Sequence, residues 1–139
     1  MNRHQARELA FSLLFEHEFD RERDIVELYD TAKATREAEE NKYVRTVMAG
    51  VVEHEGELEQ AIAEAAKGWS LGRISKVSLA ILKLSAYEML YCPDIPIRVS
   101  LNEAIELVKT YDEEAARGFV NGILNTLAQR AGEARPDEN

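Results

Sequence analysis

A chain of 139 residues with 17 Lys and Arg against 26 Asp and Glu carries a formal net charge of -9, which excludes a generally basic nucleic-acid binder because affinity for phosphates rests on Lys and Arg. The one cysteine, Cys92, excludes an internal disulfide. No stretch approaches the roughly 18 apolar residues of a membrane span and no apolar segment follows the Met1-Asn2-Arg3-His4-Gln5 start, so a cytoplasmic protein without membrane contact is expected.

The length fits one domain or two small packed halves. Charge is unevenly distributed. Residues 67–130 hold eight basic and seven acidic side chains, against nine and nineteen elsewhere, so any cationic patch is local.

The elements read as helices throughout, since apolar residues recur at helical rather than alternating spacing. In the first, over 3–19, Ala6, Leu9, Ala10, Leu13 and Leu14 form one core-facing stripe. Phe15 lies nearly opposite it at about 100° per residue, so either the helix is buried on two sides or Phe15 faces a partner. A charged turn over 20–24 leads to a short helix through Ile25, Val26, Leu28 and Tyr29, and then to a polar stretch over 35–41. Tyr43, Val44, Val47, Met48, Val51 and Val52 make the next stripe, interrupted near Glu55-Gly56 and resumed by Leu58 and Ile62; a bent helix and two helices fit equally well.

Gly68-Trp69-Ser70-Leu71-Gly72 reads as the connector between a subdomain over 1–68 and one over 73–131, with a flexible tail over 132–139. Ser75 can cap a helix whose centre, 79–90, is apolar on nearly every face, with Lys83 and Glu88 its only charges. Pro93 and Pro96 stop it. Ser100-Leu101-Asn102-Glu103 has the form of a capping box, predicting a helix from Leu101. Asp112 is the expected cap of the last helix, in which Gly122 is read as a site of close backbone approach.

Signals for catalysis are weak. His4, His17 and His54 are scattered without a ligand partner at metal spacing, so no metal or other cofactor is expected. Cys92 lacks the setting of an activated nucleophile. Carboxylate runs such as Glu53, Glu55, Glu57 and Glu59 read as solvated helix faces. A binding protein is favoured over an enzyme.

The run Asp94-Ile95-Pro96-Ile97-Arg98-Val99-Ser100-Leu101-Asn102-Glu103-Ala104-Ile105-Glu106-Leu107-Val108-Lys109, followed by Phe119-Val120-Asn121-Gly122-Ile123-Leu124, resembles the signature of the NusB antitermination family. Ala6-Arg7-Glu8 and the segment from Ile81 to Leu90 resemble that family's first and central helices. The resemblance implies an all-α fold of about seven helices in two packed subdomains. It also implies binding of single-stranded boxA RNA of ribosomal RNA leader transcripts, a heterodimer with the ribosomal protein NusE, and entry into an RNA polymerase antitermination complex.

Carried over by position, the resemblance assigns RNA binding to Arg3, Arg7, Lys76, Lys83, Arg117, Phe119 and Asn121. Lys and Arg can neutralise phosphates, Phe119 can stack on a base or belong to the core, and Asn121 can read a base edge or simply lie on the helix surface. Partner binding falls to Phe15, Glu16, Phe19, Ser78, Leu79 and Leu82. The sequence departs from many relatives at His4 and Gln5, where arginines are denser, at Ser78, where an acidic residue is common, and at Gly118, where some carry lysine. Two other readings are a self-associating scaffold that homodimerises through the Phe15 face, and an accessory domain like those preceding ribosomal RNA methyltransferases.

Overall fold

The computed structural model describes residues 1–68 and 70–135. Seven α-helices occur among them: α1 (Arg3–Phe19), α2 (Ile25–Thr35), α3 (Lys42–Glu53), α4 (Glu55–Ala65), α5 (Lys76–Tyr91), α6 (Ile97–Tyr111) and α7 (Glu114–Ala134). A 3₁₀ turn, Leu71–Arg73, lies between α4 and α5. Trp69 and the second half of the expected tail, 136–139, lie outside the described residues.

Short polar side chains start most helices by accepting otherwise orphaned amide hydrogens. Asn2 and Gln5 form a reciprocal capping box on α1, with 2.8 and 2.9 Å bonds. Asp24 accepts from the amides of Val26 and Glu27 to start α2, Asn41 from Val44 to start α3, and Ser75 from Ser78 to start α5. A break at His54, which ends α3 and precedes α4, resolves the interrupted stripe into two helices.

α5 is the axis of the bundle. It is buried continuously from Ser78 to Met89 and packs on α1, α3, α4, α6 and α7. The apolar residues of both halves therefore form one continuous core. Gly50 on α3 fits beneath the Tyr87 ring of α5, where a Cβ would collide with the ring.

Four expectations need correction. α6 begins at Ile97, one turn before the apparent capping box, because Pro96 supplies the carbonyl that the amides of Val99 and Ser100 use. Ser100 is consequently a buried residue within the helix, and its hydroxyl donates to Glu88 at 2.7 Å. Asp112 closes α6 instead of capping α7, whose first residue follows Glu113. Gly122 faces open space, with no atom near the position of an added Cβ. Finally, α7 continues to Ala134, so residues 132–134 belong to the last helix rather than to a frayed tail.

Candidate functional site

The residues proposed for RNA and partner contact separate into a buried group and an exposed group. Arg7 is only 3% exposed. Its guanidinium donates through Nε and Nη2 to the two Glu88 carboxylate oxygens at 2.9 and 3.1 Å. Tyr43 also donates to Glu88, which thus joins α1, α3, α5 and α6. Burial, and next the Glu88 charge, push the Tyr43 phenol above its ordinary pKa.

Lys83 is 1% exposed. Its ammonium donates to Glu18 and, at 3.1 Å, to Glu55, with Glu59 at 3.8 Å. Arg21 closes the cluster by donating to Glu18 and Glu59, each at 2.9 Å. Arg7 and Lys83 are therefore interior ion-pair members in this chain, since a buried cation persists only when paired. Leu82 is wholly buried, as are Leu79 and Ser78, whose hydroxyl donates to Asp112 at 2.6 Å. These five side chains are buried, each at most 6% exposed.

The exposed apolar side chain of α1 is an aromatic one. Phe19 is 65% exposed, its ring edge-on to Phe15 with centroids 5.1 Å apart. Phe15 is half-buried and lies 6.4 Å from Phe11, which in turn lies 4.9 Å from the Tyr111 ring at the end of α6. The result is a run of four rings along one side of α1, buried at Phe11 and exposed at Phe19 and Tyr111. Phe11, Phe15 and Phe19 recur every fourth residue, a spacing that stacks side chains on one helix face and identifies the strip; Phe11 and Tyr111 were not among the sequence candidates. Lys76 sits at the far end, its ammonium 5.3 Å above the Phe19 ring. Glu16 beside the strip pairs with Arg36 at 3.2 Å.

Two of the surface cations, Arg3 and Arg117, stand far apart. Arg3 lies 4.5 Å above the Tyr43 ring, close to the turn that precedes α6. Arg117 donates to the Lys109 carbonyl at 3.0 Å, close to the end of α6. At 1.5 Å per residue these two points are about 20 Å apart along the bundle. Phe119 lines a groove with Lys67, Gly118, Gly122 and Thr126. Asn121, two residues on, projects about 200° around the helix from Phe119, so the two cannot grip the same base from one side of α7. Lys67 of this groove was not among the sequence candidates, because a lone cation in a loop has no periodicity to mark it.

Nucleophilic chemistry has little support here. Cys92 is half-buried, and burial, aided by Glu88 and Asp94, pushes its thiol up to about 11, so the thiolate is scarce at neutral pH. Among the described residues no cluster of His, Cys, Asp or Glu is arranged to hold a metal ion, and no helix is long and apolar enough to cross a membrane.

Comparison with known proteins bears on the whole chain. The NusB family model matches residues 4–129. The transcription antitermination protein NusB of Carboxydothermus hydrogenoformans is 41% identical over 140 aligned residues, covering 96% of each chain. That of Limosilactobacillus reuteri is 37% identical over 134, covering 96% of this chain and 97% of its own. Among solved structures, NusB of T. maritima superposes with a TM-score of 0.80 at 34% identity, covering 93% of this chain and 92% of that one. A complex of NusB and NusE with double-stranded RNA has the same fold, at TM-score 0.81 and 23% identity, covering 94% and 99%. A match along almost the full sequence, with relatives well above 30% identity, establishes that this chain belongs to the NusB family of non-catalytic transcription antitermination proteins.

Proposed function

We propose that the protein is an adaptor that binds single-stranded boxA RNA of ribosomal RNA leader transcripts while paired with the ribosomal protein NusE, and that the pair enters an RNA polymerase antitermination complex in the cytoplasm. The observation that carries this reading is the Phe15-Phe19 end of α1, where Phe19 stands exposed with the Lys76 ammonium over its ring. Rings of this size are costly to leave in water and are common anchors of protein interfaces. NusE is the first partner to test because the neighbouring structure of similar fold holds NusB with NusE and RNA.

RNA contact is assigned to Arg3, Lys76, Arg117 and Phe119, with Asn121 serving the opposite side of α7. Arg7 and Lys83 act indirectly by holding α1 against α5. The acidic remainder of the surface disfavours non-specific polyanion binding and leaves these positions as the points of contact.

The test is titration of labelled boxA RNA, single- and double-stranded, with the protein alone and with NusE, beside a Phe19→Asp variant. Phe19 is preferable to Phe15 because Phe15 packs against the core. Expected is tighter binding of single-stranded boxA than of scrambled RNA in the presence of NusE, and loss of NusE pairing in the variant without loss of thermal stability. Equal affinity for scrambled RNA overturns the RNA assignment. The aromatic strip equally allows self-association; light scattering that shows a dimer, dissociated by Phe19→Asp and indifferent to NusE, favours that scaffold reading instead.

A further inference from the structure

Several cations of this acidic chain already face carboxylates: Arg7 faces Glu88, Arg21 faces Glu18 and Glu59, Lys33 and Arg45 face Glu40, and Arg36 faces Glu16. Lys42, the first residue of α3, is exposed and forms no ion pair among the described residues. It lines a surface pocket with Arg3, Tyr43, Thr46, Cys92 and Asp94, where the starts of α1 and α3 meet the turn between α5 and α6. Arg3 stands over the Tyr43 ring. A guanidinium that engages a ring through its face keeps N–H donors along its edge for an anion.

We propose that this pocket takes one backbone phosphate of single-stranded RNA, with Lys42 as a phosphate contact beside Arg3 and the Thr46 hydroxyl as a neutral donor. The inference rests on the RNA reading above and extends the bound strand onto the N-terminal half of the molecule. Two cations on separate helices and a hydroxyl surround the pocket, an arrangement suited to an acceptor that presents oxygens in several directions. Asp94 opposes it from the rim, because its carboxylate repels the same phosphate. The pocket therefore makes two predictions of opposite sign.

The experiment is fluorescence anisotropy of labelled single-stranded boxA RNA with the full chain and NusE, between 50 and 200 mM salt. Lys42→Ala is expected to weaken binding several-fold and to reduce the salt slope by about 0.7, the value for one contact to a single strand. Asp94→Asn is expected to tighten binding. Lys33→Ala, which removes the same charge from a lysine already paired with Glu40 at 2.7 Å, is expected to leave affinity and slope unchanged. A parallel titration with inorganic phosphate, followed by the Thr46 amide resonance, separates strand from free anion. If the wild type binds RNA while Lys42→Ala and Asp94→Asn both behave like it, the pocket is refuted and the RNA reading stands; if phosphate alone moves Thr46 in that case, the pocket holds an adventitious anion only. If the wild type binds no RNA, both fall together.

Discussion

Arg7 and Glu88, 81 positions apart in the chain, meet as a two-point ion pair between α1 and α5, with side chains 4% and 2% exposed. Tyr43 and Ser100 also donate to Glu88, so its carboxylate is well satisfied although it lies in the core. Removing one member of such a pair strands the other, which typically costs about 3–5 kcal/mol. Arg7→Ala is accordingly expected to lower urea-unfolding stability by that order, and any loss of RNA binding should follow loss of fold. Full wild-type stability with reduced RNA affinity would instead return Arg7 to the RNA surface.

The Lys83 cluster predicts a dependence on pH. Burial alone would raise the Glu18 carboxyl, but hydrogen bonds from Lys83 and Arg21, and then their charges, hold it below its ordinary value of 4.5. A carboxyl held lower in the folded chain stabilises fully above the unfolded value and loses that contribution as pH falls through the folded one. Stability from this cluster should thus be intact above about pH 4.5 and decline below it. Lys83→Met leaves Glu18 with Arg21 alone, so acid unfolding followed by circular dichroism is expected at higher pH than in the wild type. An unchanged acid midpoint would show that Lys83 does not hold Glu18.

The helices were legible because their apolar stripes and short polar caps are local. Ser75 caps α5 as expected, and the stripe from Ala6 to Leu14 turns inward. Ser100 shows where local reading stops. Its spacing to Glu103 has the form of a cap, yet the serine is buried against Glu88, twelve residues earlier. Lys83 and Glu88 stood out as the only charges of a greasy helix, but their partners Glu18 and Arg7 lie 65 and 81 positions away, beyond any helical period. Sequence marks a cation; only packing reveals whether a carboxylate already holds it. Phe15 stood out for the converse reason, since a ring opposite a full core stripe has few places left to go, whereas Phe19 was named from the family resemblance alone.

The last described residue gives the third prediction. Arg135 reaches from the end of α7 to the carbonyls of Ile95 at 2.8 Å, Glu88 at 2.9 Å and Cys92 at 3.1 Å, and also to that of Met89. The final carbonyls of a helix lack intrahelical donors and carry its negative dipole end, so one guanidinium both satisfies the end of α5 and favours it electrostatically. It also pins the turn between α5 and α6, which borders the Arg3-Lys42 pocket. Hydrogen bonds to charged groups are worth about 1.5–3 kcal/mol; Arg135→Ala is expected to cost about that much and to speed hydrogen exchange over 89–96, with little change in α2. Arg135→Lys, which keeps the charge but loses the planar fork, should recover only part of the protection. Uniform acceleration throughout the chain would mean that Arg135 supports global stability rather than this turn, whereas full recovery with lysine would assign the effect to charge alone.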